Sequence, residues 1–209
     1  MTNTTTYTDI ANFALDQVGG LNIQSIDDTN NPNAILCKRH LGRCVRAEFD
    51  KYEWTCARKF AQAVAVDLET KPEAKIDGYI AYHLPSDFSR LSQYFFSEYY
   101  PYRKNQYDLG HNYFLTSDYL YTKMPIKIIP YSSNSVPIAK WNQLVCDVIS
   151  AALAKSIARK IMGTDVDVGA MEALYRKAVS EARRQQVLQM EPSGTGMTES
   201  QVARVMYYG

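Results

Sequence analysis

"CVRAEFDKYEWTCARKF", residues 44–60, sets a tryptophan among helix-forming residues with charge on both sides and runs on into the alternating stretch "AVAVDL". Where the helix ends in this stretch decides where helices give way to strands. Upstream, Asn31 offers a side-chain cap and Pro32 suits a first helical position, which lacks an intrahelical partner for its N–H. From there Ala34, Leu41, Val45, Phe49, Tyr52, Cys56 and Phe60 fall within ~100° of arc, the width of a core-facing stripe. The periodicity therefore predicts one long helix from Pro32 to the neighbourhood of Phe60. Lys38 and Lys51 intrude on that arc, and the expectation is that they snorkel or pair across a subunit boundary. Downstream, Val64, Val66 and Leu68 alternate with Ala63, Ala65 and Asp67, the period of a half-buried strand. "KPEAKIDG" then supplies a turn before "YIAYHLP", so a hairpin is expected.

Working outward, Thr6 and Asp9 fit a capping box, Ile10, Phe13 and Ala14 form a helical stripe, and Gly19-Gly20 can end that helix, placing it at about 7–18. "NIQSIDDTNNP" reads as an ordered loop. From Tyr79 to Tyr131 the composition shifts: 11 of the 16 tyrosines lie here, with turn signals between the short β-prone runs "YFL", "YLYT" and "IKIIP". Such a run reads as amphipathic packing in a small lobe, or as an aromatic contact surface for another protein. After "SSNSVP", the residues Ile138, Trp141, Val145, Val148, Ile149, Ala152 and Ser156 share one arc of a third helix, about 137–162. Its "SAALAKSIA" stretch lets a neighbour approach closely. Gly163 ends it, Asp165 offers the next cap, and Met171, Leu174, Tyr175, Ala178 and Ala182 line the inner side of a fourth helix to about 190. "EPSGTG" breaks the order signals. The last stretch, "MTESQVARVMYYG", is short for an isolated helix yet too apolar for a solvated tail.

The fold class read from this pattern is mainly α with an inserted β lobe, an α+β chain. Residues 1–61 and 136–191 form a four-helix bundle, 62–135 a tyrosine-rich lobe with a small antiparallel sheet, and 192–209 an extended C-terminal tail.

The chain of 209 residues has 46% hydrophobic and 22% charged residues and a net charge of +1. No apolar run approaches the ~20 residues of a membrane span, and no global positive field gathers phosphates. The start "MTNTTTYTD" has neither the basic nor the apolar segment of a leader, so synthesis in the cytoplasm is expected. Cys37, Cys44, Cys56 and Cys146 lack CxxC spacing and read as free thiols. Cys37, His40 and Cys44 share a stripe that could offer three zinc ligands, but no fourth is evident, so no metal site is assigned. Neither a phosphate loop nor an HExxH or GxSxG pattern occurs, which leaves no catalytic residue to nominate and no cofactor to expect. Asp87, after Pro85, reads as a turn or cap residue rather than half of a carboxylate pair. Arg176, Lys177, Arg183 and Arg184 occupy the outer side of the fourth helix, either as a solvated face beside Glu172 and Glu181 or as a docking face for a partner.

Four stretches, in order and spacing, carry a resemblance: "ANFALDQVGGLNIQSIDD", "CVRAEFDKYEWTCARKFAQAVAV", "YHLPSDFSRL" and "ALAKSIARKIMG". Over roughly residues 7–190 the chain resembles the head-to-tail connectors, or adaptors, of tailed bacteriophages, of the tail tubular protein A type found in short-tailed viruses. The resemblance implies a structural, non-enzymatic virion protein of the neck. Twelve copies would form a ring between the portal protein and the tail nozzle, with double-stranded DNA passing through the channel and no membrane partner. It places Trp54 where the long helix meets the lobe. The C-terminal arm, with Val202, Arg204, Val205, Met206, Tyr207 and Tyr208, would be mobile in the free subunit and order on the portal. Tyr99, Tyr100, Tyr102 and Tyr107 would face the nozzle, in a stretch more tyrosine-rich than the family pattern. Two rival readings stand beside it: a virion-associated carbohydrate hydrolase, which needs paired carboxylates in a cleft, and a nucleic-acid-binding helical bundle, which needs a basic stripe.

Overall fold

A computed structural model describes residues 5–92, 113–123 and 125–190, with the side chains of 187–190 excepted. Among these residues lie four α-helices and two three-stranded antiparallel sheets, a mixed α+β fold. The helices are α1 (Tyr7–Gln17), α2 (Pro32–Lys51), α3 (Gln143–Ile161) and α4 (Val168–Met190). The strands are β1 (Arg58–Gln62), β2 (Ile80–His83), β3 (Phe88–Leu91), β4 (Tyr113–Leu115), β5 (Tyr119–Thr122) and β6 (Ile128–Ser133). The chain divides into two compact units, one formed by Met1–Cys56 with Val136–Gly209, the other by Ala57–Ser135. No helix among the described residues is long and apolar enough to cross a membrane.

In the helical unit the local signals are satisfied one by one. Thr6 and Asp9 close a reciprocal capping box at α1, and the Asn31 side chain accepts from the backbone N–H of Asn33 and Ala34 at the start of α2. Gly19 takes the left-handed conformation after α1, with φ of 66°. The Asn12 side chain then ties the following loop to the helix, accepting from Ile23 N and donating to its carbonyl oxygen. The hub is α3, which packs against α1, α2 and α4. Val145, Val148, Ile149, Leu153 and Ile157 are fully buried along it, and each such side chain contributes about 1.5–3 kcal/mol. Between them Ser150, Ala151, Ala154 and Ala158 keep the helix thin, so its neighbours come close.

The opening stretch differs from its periodicity. Helix α2 ends at Lys51, not near Phe60, because Tyr52 turns to extended backbone while its N–H still bonds Glu48 O. Trp54 is 1% exposed, and its indole N–H donates to the same carbonyl at 3.1 Å. A 3-10 turn, Thr55–Ala57, follows, and Arg58–Gln62 is already strand β1. Phe60, placed in the core stripe by the helical reading, is 63% exposed. The lysines on that stripe have partners within the chain. Lys38 reaches Asp27 at 2.8 Å, and Lys51 donates to the Tyr175 hydroxyl at 2.7 Å.

The other helix starts also shift. Ile138–Lys140 is a 3-10 turn, Asn142 caps α3, and Trp141 packs ahead of the helix against Tyr7 and Phe49. Asp167, not Asp165, caps α4 by accepting from Ala170 N.

In the second unit the strand orders are β1-β6-β3 and β2-β5-β4. The runs "YFL" and "YLYT" are β4 and β5, and β6 begins within "IKIIP". The expected hairpin is present as a single bridge, Ala65 to Tyr82, where Val66 N donates to Ala81 O and His83 N to Val64 O; β1, which lies ahead of the expected strand, pairs with β6, and β2 pairs along its length with β5. Both pairings join segments distant in sequence, which period-2 alternation cannot specify. Leu120, Ile129, Tyr82 and Leu91 pack as one small core; Ala81, Tyr121, Val66 and Ala74 pack as another.

Candidate functional site

Helix α2 carries Glu48 inward, where it is 3% exposed. The Tyr175 hydroxyl, from α4, lies 2.9 and 3.0 Å from its two carboxylate oxygens, and Lys51 Nζ stands 3.8 Å from Oε1. The ammonium groups of Lys51 and Lys155 sit 4.9 and 5.0 Å from the Tyr175 ring centroid, both in cation–π range. Burial pushes the Glu48 carboxyl above its ordinary range, against the opposing pull of the Tyr175 hydroxyl and of Lys51 and Lys155. Burial, with the Glu48 charge beside it, also raises the Tyr175 phenol. Over this group opens a cleft of about 310 Å³, lined among others by His40, Arg43, Cys44, Lys51, Lys155 and Ser156. Cationic donors at its mouth suit an acidic group on a partner.

The sequence reading passed over Glu48, although the signal is there: it lies seven residues after Leu41, in the middle of the apolar stripe, where a carboxylate needs a partner. Cys37 is packed in the core, and Cys44 Sγ lies 3.4 Å from Ser156 Oγ. Among the described residues no group of three or more His, Cys, Asp or Glu is placed to hold a metal.

A second opening has the opposite character. Helices α1, α3 and α4 leave a groove of about 420 Å³ whose apolar lining includes Phe13, Leu144, Ala151, Leu174 and Ala178. Phe13 and Leu174, expected on the inner stripes of their helices, are 46% and 43% exposed and flank this groove instead. Asp147, Lys177 and Glu181 also line it.

The basic residues of α4 divide between two sides. Arg176 and Arg183 line a small cleft with Tyr52 and Tyr175, whereas Lys177 lines the apolar groove. Arg176 pairs with Glu172 at 3.0 Å, Arg184 pairs with Glu181 at 3.0 Å, and the Arg183 guanidinium lies 5.6 Å from the Tyr52 ring centroid. Solvent screens exposed pairs of this kind, so they add little to stability. Val202, Arg204, Val205, Met206, Tyr207 and Tyr208 lie outside the described residues, as do Tyr99, Tyr100, Tyr102 and Tyr107.

In the second unit Asp87 gathers three donors: Lys59 Nζ at 2.6 Å, Ser133 Oγ at 2.7 Å and the Tyr131 hydroxyl at 2.9 Å. Burial raises its pKa, but these hydrogen bonds outweigh it and hold the carboxyl at about 2. Asp87 does lie in the turn before β3, yet its side chain ties β1 to β6 rather than capping backbone. Compared with models of known protein families and with curated protein sequences, the chain matches none.

Proposed function

We propose that the chain is a structural, non-catalytic virion protein, a head-to-tail adaptor whose copies close a ring between portal and tail nozzle. The observation that carries this reading is the pair of unlike openings on the helical unit, one apolar beside Phe13 and Leu174, the other cationic beside Arg43, Lys51 and Lys155. A closed ring uses heterologous contacts, so each copy must present two different surfaces that are complementary to each other, and each opening needs its counterpart on the opposite face of the neighbouring copy. A permanent interface of this type buries about 2,000 Å² or more. The four helices act as a bundle forming the ring wall, with DNA passing through the central channel. The C-terminal arm from Pro192, with Val202, Arg204, Val205, Met206, Tyr207 and Tyr208, engages the portal. Tyr99, Tyr100, Tyr102 and Tyr107 meet the nozzle, and Arg176, Lys177, Arg183 and Arg184 contribute docking charge.

The test is negative-stain imaging and light scattering of the purified chain with and without portal-containing heads. Rings of about twelve copies on the portal support the reading. A chain that stays monomeric and leaves such heads undecorated sinks it.

A further inference from the structure

We infer that the groove formed by α1, α3 and α4 receives the outer face of α2 from a second copy of the chain. Such a contact deepens the ring reading, on which it rests, by naming the two surfaces that meet.

The helices leave one place open. Helix α3 packs against α1, α2 and α4, α1 touches α2, and α2 meets α4 where the Tyr175 hydroxyl reaches Glu48. Around α3 the order is therefore α1, α2, α4, and the circuit stays open between α4 and α1, where the groove lies. The vacant place is opposite α2. A head-to-tail contact needs this relation, since the two surfaces that join successive copies face nearly opposite ways. Phe13 and Leu174 remain nearly half exposed beside the groove, and large apolar side chains gathered along one depression mark a surface that another chain covers.

The outer face of α2 fits that place in shape and in charge. Ile35, Arg39, Gly42 and Arg46 recur at helical spacing, so they form one stripe, and all four are exposed. Ile35 is an apolar knob, 42% exposed. Gly42 lies in the middle of the 20-residue helix with nothing within 4 Å of an added Cβ. A glycine there weakens the helix without relieving any crowding inside the chain, but it keeps the stripe flat enough for another helix to lie close. Set with Ile35 against Leu174 and running in the direction of α4, the stripe carries Arg39 about 6 Å and Arg46 about 16 Å along, either side of Glu181 at about 10 Å. Arg39, Arg43 and Arg46 enter none of the ion pairs among the described residues. The groove carries two carboxylates, Asp147 and Glu181, to one ammonium, Lys177. The stripe thus brings cations to a rim of net negative charge.

The test uses the full chain, both free at high concentration and on portal-containing heads. Ile35→Cys and Leu174→Cys variants are mixed and oxidised, and cross-linked species are sized by denaturing electrophoresis. Wild type is the control, because burial pushes the native thiols up, Cys37, Cys56 and Cys146 to about 11, and slows their reaction. The expected result is a cross-linked pair in the mixture, with neither variant pairing with itself, and a ladder beyond the dimer when one chain carries both cysteines. Gly42→Gln should lower the yield at least about tenfold while raising the unfolding midpoint of the free chain. Arg39→Glu with Arg46→Glu should lower it as much, and adding Asp147→Lys with Glu181→Lys to the same chain should restore it, since both surfaces are then reversed. A cross-link between two copies of residue 35, which would make the contact two-fold, overturns the proposal. So does a yield indifferent to Gly42→Gln and to the charge reversals, or the absence of any 35–174 link in both settings. Rings on heads that lack the 35–174 link reject this contact and leave the ring reading standing. A ladder from the free chain beside undecorated heads does the reverse.

Discussion

Asp87 accepts hydrogen bonds from three side chains on two strands, and its ionisation is tied to folding. With a carboxyl held at about 2 against an ordinary 3.8, the depressed value means stability present above the unfolded pKa and lost as pH falls through the folded one. Asp87→Asn is expected to cost about 2 kcal/mol at neutral pH by urea unfolding. The difference from the wild type should close as pH is lowered from about 4 toward 2. Glu48 has the opposite sign. Its carboxyl is raised, so the fold favours the protonated form, and that contribution is lost as pH rises through the folded pKa. Glu48→Gln keeps the shape and an acceptor for Tyr175 while removing the buried charge. Relative to this variant, wild-type stability in urea is expected to fall as pH is raised from 4 to 8; parallel profiles would contradict it. The inward place of Glu48 can be read from its position in the apolar stripe of α2, but the partners of neither residue can, because the donors to Asp87 come from strands 28 to 46 residues away in the chain. Tyr175 lies 127 residues from Glu48.

At the scale of elements, what reads locally was legible and what depends on distant partners was not. The capping box of α1, the Asn31–Pro32 start of α2 and the thin, alanine-rich α3 all follow from nearby residues. The end of α2 does not. A helical stripe through Tyr52, Cys56 and Phe60 fits the wheel, but pairing of Arg58–Gln62 with Ile128–Ser133 takes these residues into a sheet. The indole of Trp54, donating to Glu48 O, fixes the break. Trp54→Phe is expected to cost about 2 kcal/mol, read from the denaturant midpoint, through the lost hydrogen bond and the smaller buried ring. The stop between α3 and α4 rests on Gly163, whose φ is 67° with nothing within 4 Å of an added Cβ. Gly163→Ala should therefore destabilise by roughly 1–2 kcal/mol through backbone strain alone, and Gly163→Asn by less. Equal costs for the two would place the effect elsewhere.

For the whole molecule, the division into a helical unit and a strand unit was visible as a shift from 3.6-residue to 2-residue periodicity. The groove was not, because the same apolar spacing describes a side chain facing the core and one facing an empty channel. Phe13 makes the distinction measurable. Phe13→Ser removes exposed apolar surface, so the unfolding free energy read in urea should stay within about 0.5 kcal/mol of wild type. Ring assembly on portal-containing heads should nevertheless be lost if the groove is a ring contact. A variant that assembles normally would assign the ring contact to another surface.

The phenol of Tyr175, caught between two ammonium groups and a buried carboxylate, also makes the helical unit its own optical clock. Because its proton is held well above the ordinary phenol range, its share of the phenolate absorbance in an alkaline ramp should arrive late and abruptly, together with the collapse of helical ellipticity. A stopped-flow jump to high pH would then time the opening of α2 from α4 without any dye or label.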